Sequence, residues 1–170
     1  IAYFNIDSVG FSGTSFFETA SSTELVRFHQ AVERKVLGEP ASRKKLTRSN
    51  EQPFFPIGIP AMEGSFRFSN EQIAAWDNAS GGWWWHSTAD TLDKVDQERF
   101  RQTYQLHAGY IHTMATSPVL PMDYQAVGVD LAERISAVTC EAGNAFPLDL
   151  PIETFQNAAN KLDAAIADIN

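Results

Sequence analysis

The chain opens on IAYFNID, a nearly unbroken apolar run closed by Asp7. Such a run suits an interior strand of a mostly parallel sheet, buried on both faces. Functional side chains gather at the carboxyl ends of such strands. The next stretch, VGFSGTSFFETA, is rich in Gly, Ser and Thr and reads as a loop. Leu25, Phe28, Val32 and Val36 then recur at helical spacing. Ser21 and Glu24 stand ahead of them at capping-box spacing, and Gly38 with Pro40 stops the helix. A basic loop follows, and PFFPIGIPAM carries Pro and Gly punctuation around a short strand at residues 58–62. Residues 63–82 read as an irregular excursion with one helical turn near Glu71 to Trp76. GGWWWHS reads as a further strand, and STADTLDKVD as turn chemistry.

Beyond that point the period becomes helical. From about Gln97 to Thr116, the positions Phe100, Tyr104, His107 with Ala108, Ile111, and Met114 with Ala115 form the stripe of a long amphipathic helix. Pro118 and Pro121 break it. Val127, Leu131, Ile135 and Val138 mark another helix, ending near Gly143. Phe155, Ala159, Leu162, Ile166 and Ile169 mark a last one, with Pro151 near its first turn. The pattern therefore predicts an α/β portion over residues 1–117 and a helical region over 118–170.

With 170 residues and 44% hydrophobic positions, the chain can bury a core, which disfavours wholesale disorder. The net charge of −8 argues against a nucleic-acid partner, since phosphate-backbone binding needs a basic footprint. Charge is unevenly placed. Arg43, Lys44, Lys45 and Arg48 form a basic strip that reads as a solvated loop. Beyond Ser117, Arg134 and Lys161 stand alone against many acids. A single cysteine, Cys140, excludes an internal disulfide and reads as a small buried hydrophobe. No apolar run reaches the roughly 18 residues of a membrane span. A domain seldom begins abruptly on a core strand, so the expectation is a chain whose upstream part lies elsewhere.

Few residues carry chemistry on their own. Asp7, closing an apolar strand, offers a hard oxygen ligand for a metal or caps a turn. His86 follows three tryptophans and precedes a polar turn; it offers a neutral imidazole ligand or a buried hydrogen-bonded histidine. Asp90 offers a carboxylate to hold that imidazole or serves the turn. Phe54, Phe55, Trp83, Trp84 and Trp85 offer a substrate wall or ordinary packing. His107 reads as core-facing, and His29 and His112 show no ligand-like neighbours. There is no CxxC, HExxH, Walker loop or GxSxG.

Taken together, several segments resemble the superfamily of zinc-dependent aminopeptidases, glutamate carboxypeptidase and the transferrin receptor. YFNIDSVG resembles the strand that ends in its zinc-ligand Asp. SNEQPFFPIGIPAM is similar to a segment running from polar residues through an aromatic to GIP. WWWHSTADTLDKVD is the most specific match, with His, Thr, Asp-Thr and a closing Asp at family spacing. VLPMDYQAVGVDLAERISAV and PLDLPIETFQNAANKL resemble the helical C-terminal region of the glutamate-carboxypeptidase and transferrin-receptor branch. The resemblance covers nearly the whole chain in the right order.

It implies part of a three-layer zinc-peptidase sheet with helices, followed by a helical region suited to dimerisation. It also implies two zinc ions in the complete parent, with Asp7 and His86 serving one each. Donor atoms about 5–8 Å apart at one sheet rim follow from two-metal spacing plus ligand bond lengths. The implied partners are a peptide substrate for the parent and, for this chain, a second copy or the missing N-terminal half. Two departures matter. Asn50 followed by Glu51 stands where many relatives have Asp, and no HxD or Glu-Glu pair supplies the remaining ligands and the base. The implied activity, exopeptidase hydrolysis by a metal-activated water, is therefore expected of the parent and not of this chain alone. The alternatives are a non-catalytic association module of the transferrin-receptor kind and an unrelated α/β domain.

Overall fold

The structure, a computed structural model, describes residues 1–46 and 52–142 and scattered positions between 154 and 165. The chain divides into two compact units, Ile1–Pro121 and Met122–Asn170. The first holds a four-stranded mixed sheet in the order β1-β4-β2-β3. Strand β1 is Tyr3–Asn5, β2 Phe16–Ser21, β3 Ser42–Lys45 and β4 Ala61–Arg67. β1 runs parallel to β4, β2 parallel to β3, and β2 antiparallel to β4. β1 is thus an edge strand among the described residues, not the interior strand its apolar run suggests.

Helix α1, Val26–Leu37, follows a 3-10 turn at Thr23–Leu25. Leu25, Phe28 and Val32 of its stripe are buried, and Gly38 closes it at φ 86° with its N–H on the Arg34 carbonyl. Ser21 does not cap it: it ends β2, and Ser22 Oγ accepts from the Ala61 N–H at 3.2 Å. The capping box of this chain lies elsewhere, at the short helix α2, Asn70–Ala75, where Ser69 and Gln72 exchange bonds. Helix α3 spans Gln97–Thr116, with the Asp96 carboxylate accepting from Arg99 N–H at 2.9 Å. α1 and α3 pack on the same sheet face, which Phe4, Phe17, Thr19, Ser21 and Phe66 present. They approach closely at Gly109, where a Cβ would lie 2.8 Å from Val32 Cγ1.

Five expectations are corrected. The short strand expected at residues 58–62 is β4, Ala61–Arg67, which runs on into the stretch expected to be irregular. Residues 16–21 form β2, not a loop, and residues 42–45 form the exposed edge strand β3, not a solvated loop. The strand expected at GGWWWHS is a series of turns; Gly82 at φ 96° and His86 at φ 60° take left-handed backbone that no strand tolerates. On α3 the bounds match, and His107 and Met114 of the expected stripe are buried, but the other positions of that stripe are not. Thr103, Leu106, His107, Tyr110 and Met114 point into the core, whereas Phe100, Tyr104 and Ile111 are 49%, 68% and 48% exposed. Both lines of residues satisfy helical spacing, so period alone cannot choose between them.

The second unit contains α4, Tyr124–Ala142, with the Asp123 carboxylate accepting from Ala126 N–H and an Asp130–Arg134 pair at 2.8 Å. The last expected helix falls largely outside the described residues, as do Arg48 and the Asn50–Glu51 pair. No helix among the described residues is long and apolar enough to cross a membrane.

Candidate functional site

Asp7 precedes a loop that pairs with the segment eight to ten residues beyond His86. The loop after β1 returns along the segment before α3. Phe11 bridges Val95, Ser12 N–H donates to the Lys94 carbonyl at 2.8 Å, and Asp96 N–H donates to the Gly10 carbonyl at 2.9 Å. A cleft of about 70 Å³ opens at this rim, and Ser8, Phe11, Phe68, Gly81 and Trp85 are among its walls. Ser8 and Trp85, the immediate neighbours of the two predicted ligands, line this cleft, but Asp7 and His86 themselves do not.

The backbone is unusual at both places. Ser8 at φ 53° and His86 at φ 60° are left-handed without being glycine. That conformation costs roughly 1–2 kcal/mol per residue for an L side chain. Strain of this kind is found where the surrounding structure over-determines it, often at sites. Asp7 Oδ1 accepts the Ser8 N–H at 2.7 Å, which fixes the carboxylate beside the turn. The His86 ring stacks on Trp85 with centroids 3.7 Å apart, and Trp85 in turn lies against Gly81, where any Cβ would clash at 2.5 Å. Asp7 and His86 are both exposed.

The remaining predicted residues divide. Asp90 is exposed, its N–H donates to the Ser87 carbonyl at 3.1 Å, and among the described residues no hydrogen bond joins its carboxylate to His86. Trp84 is buried in an aromatic cluster with Phe68, Trp76 and Trp83, so it packs the core beneath the cleft. Trp85 stays 43% exposed at the cleft wall. Phe54 stacks on Tyr3 at 4.1 Å, and the Phe55 side chain lies outside the described residues.

Zinc implied by the resemblance needs at least three protein donors for a defined open site. The oxygen of Asp7 and the imidazole of His86 are donors of the right chemical type. Among the described residues, however, no group of three or more His, Cys, Asp or Glu gathers to hold a metal ion. These residues alone do not fit a complete zinc site.

Two features escaped the sequence pattern. One is an open apolar groove of about 630 Å³, walled by Ile6, Val9, Phe100, Tyr104 and Ile111 among others, between the end of β1 and α3. His107 also reaches it; burial pushes its pKa down, outweighing its hydrogen bonds to the Thr103 carbonyl and the Asn5 backbone, which favour the charged form. The other is a sealed polar cluster around Glu33, 0% exposed together with His29. The i, i+4 spacing of His29 and Glu33 was the available signal. Compared with protein-family models and with curated proteins, the chain matches none.

Proposed function

We propose that this chain is the C-terminal part of a zinc-dependent exopeptidase and contributes Asp7 and His86, one ligand to each of two ions. The supporting observation is the cleft that Ser8 and Trp85 share, flanked by two strained non-glycine residues. In this reading Asp7 is oriented by the Ser8 N–H and His86 by the Trp85 ring, and the half-exposed Trp85 offers an apolar face to a peptide lying outside the small cleft. Zinc, when bound, would supply a water acidic enough to attack a peptide carbonyl. The three-layer sheet and the further ligands belong to the parent in this proposal.

The chain alone is then inactive. Loss of a catalytic proton acceptor costs on the order of 10²–10⁴ in rate, before the incomplete metal site is counted. The test is turnover of aminoacyl and dipeptide chromogenic substrates by the purified chain with added zinc. The expected result is none above background. Chelator-sensitive turnover that disappears in His86→Ala would show a more complete site than proposed.

The exposed apolar line of α3 favours a second reading, a non-catalytic association module. In both readings the groove beside β1 is covered, by a second copy or by the parent's N-terminal half. Sedimentation of a stable monomer at high concentration would count against self-association.

A further inference from the structure

Two charges within the first unit are treated in opposite ways by the fold. The Glu33 carboxylate is 0% exposed and accepts from Thr19 Oγ1, His29 Nδ1, the Tyr110 hydroxyl and the Ala41 N–H, so the fold satisfies it and no ligand enters. The guanidinium of Arg99 is left open. It lies half-buried over the Phe66 ring at 4.4 Å, and its Nη1 donates to the neutral Gln102 side chain at 3.2 Å. A guanidinium carries five N–H donors, and this bond uses one. Among the described residues no carboxylate pairs with it. The acids beside it in sequence are engaged elsewhere: Asp96 accepts from the Arg99 backbone N–H, and both oxygens of Glu98 accept from Arg101.

A cavity of about 350 Å³ opens at this guanidinium, between the end of α1 and the first turns of α3. The two helices touch where Gly109 meets Val32, and the cavity lies beyond that contact. Ligand clefts run from roughly 300 to 1,000 Å³, so this one suits a small molecule. Phe16, 40% exposed, and Leu37 give it an apolar wall, while Arg99 and Gln102 give it polar groups. Glu39 also lines it, but is exposed and makes no ion pair with Arg99.

We propose that this cavity binds a small organic monocarboxylate, with the carboxylate on the remaining N–H groups of Arg99 and an apolar body against Phe16 and Leu37. The planar fork of a guanidinium matches a carboxylate bidentately. Charge selects the same class. One guanidinium balances one negative charge, whereas a phosphate monoester carries nearly two, and among the described residues no Lys or second Arg lines the cavity. A half-buried charge lacking a counter-charge is costly, and the ligand supplies one. The stacking on Phe66 and the bond to Gln102 already hold the Arg99 side chain, so binding orders little that was free. The site includes neither Asp7 nor His86, and so stands independently of the peptidase reading.

Nuclear magnetic resonance titration of the full chain tests this with three probes: 3-phenylpropionate, 3-phenylpropylamine with the opposite charge on a similar body, and inorganic phosphate. Phenylpropionate should give saturable shifts at Phe16, Leu37 and the Gln102 side-chain amide, and the other two should not. Arg99→Gln should weaken phenylpropionate about tenfold or more, the scale of a hydrogen bond to a charged group. Arg99→Lys keeps the charge but loses the fork, and should also weaken it; this variant carries the test if Arg99→Gln does not fold. Glu39→Gln removes a like charge from the cavity wall and should tighten binding. Equal shifts from the amine or from phosphate, phenylpropionate shifts confined to residues outside the cavity, or unchanged affinity in both Arg99 variants overturns the proposal.

Discussion

Helix α3 offers a comparison between two apolar positions that sequence alone treats alike. Leu106 is 0% exposed in the core, and Ile111 is 48% exposed at the groove. Truncating Leu106 to Ala removes about three methylene equivalents, worth roughly 2.4 kcal/mol in transfer at ~0.8 each. A cavity remains, which brings the expected cost to about 3–4 kcal/mol. Ile111→Ala loses about half the buried area and leaves no enclosed cavity, so its expected cost is about 1 kcal/mol. Equilibrium urea unfolding of both variants measures the difference, expected to be about 2–3 kcal/mol at low protein concentration. At high concentration the Ile111 cost should rise if a second copy covers the groove, because binding to the native state adds to apparent stability. Equal costs at every concentration would refute the assignment of these two faces.

Three further outcomes follow from named contacts. The folded Glu33 pKa lies below its unfolded value, so its contribution to stability is present above about pH 4.5 and is lost as pH falls through the folded value; urea midpoints between pH 7 and pH 3 should decline accordingly. Gly109→Val should destabilise by roughly 1–3 kcal/mol by calorimetry, because the added atoms meet Val32 at a 2.8 Å approach. His86→Gly should be more stable than His86→Ala by about 1 kcal/mol, since the two lose the same ring but only glycine adopts φ 60° without strain; equal stabilities would mean that the turn relaxes.

What the sequence concealed has specific physical causes. β2 was hidden because its inward positions include Thr19 and Ser21, polar residues whose burial is made possible by Glu33 and His29 far along the chain. β3 was hidden because an edge strand of Ser, Arg and two Lys has no apolar face to reveal it. The tryptophan run misled in the opposite sense: its hydrophobicity resembles a strand, but Gly81 and Gly82 fold it back so that Trp84 packs inward and Trp85 outward. α1, α3 and α4 were legible from period and punctuation, though the buried face of α3 was not. Asp7 and His86 were legible as candidates because both close apolar runs. The cleft beside them was not, since Ser8, Phe11, Phe68 and Trp85 meet only after the loop after β1 pairs with the segment before α3.

The central proposal, that Asp7 and His86 are zinc ligands at one rim, is tested most directly by a zinc titration followed by nuclear magnetic resonance. The account predicts that zinc shifts the His86 ring and the Ser8 amide, that a chelator reverses both shifts, and that Asp7→Ala abolishes the shift at Ser8 and His86→Ala leaves no ring response. Zinc shifts confined to other residues, or an unchanged Ser8 response in Asp7→Ala, would contradict it.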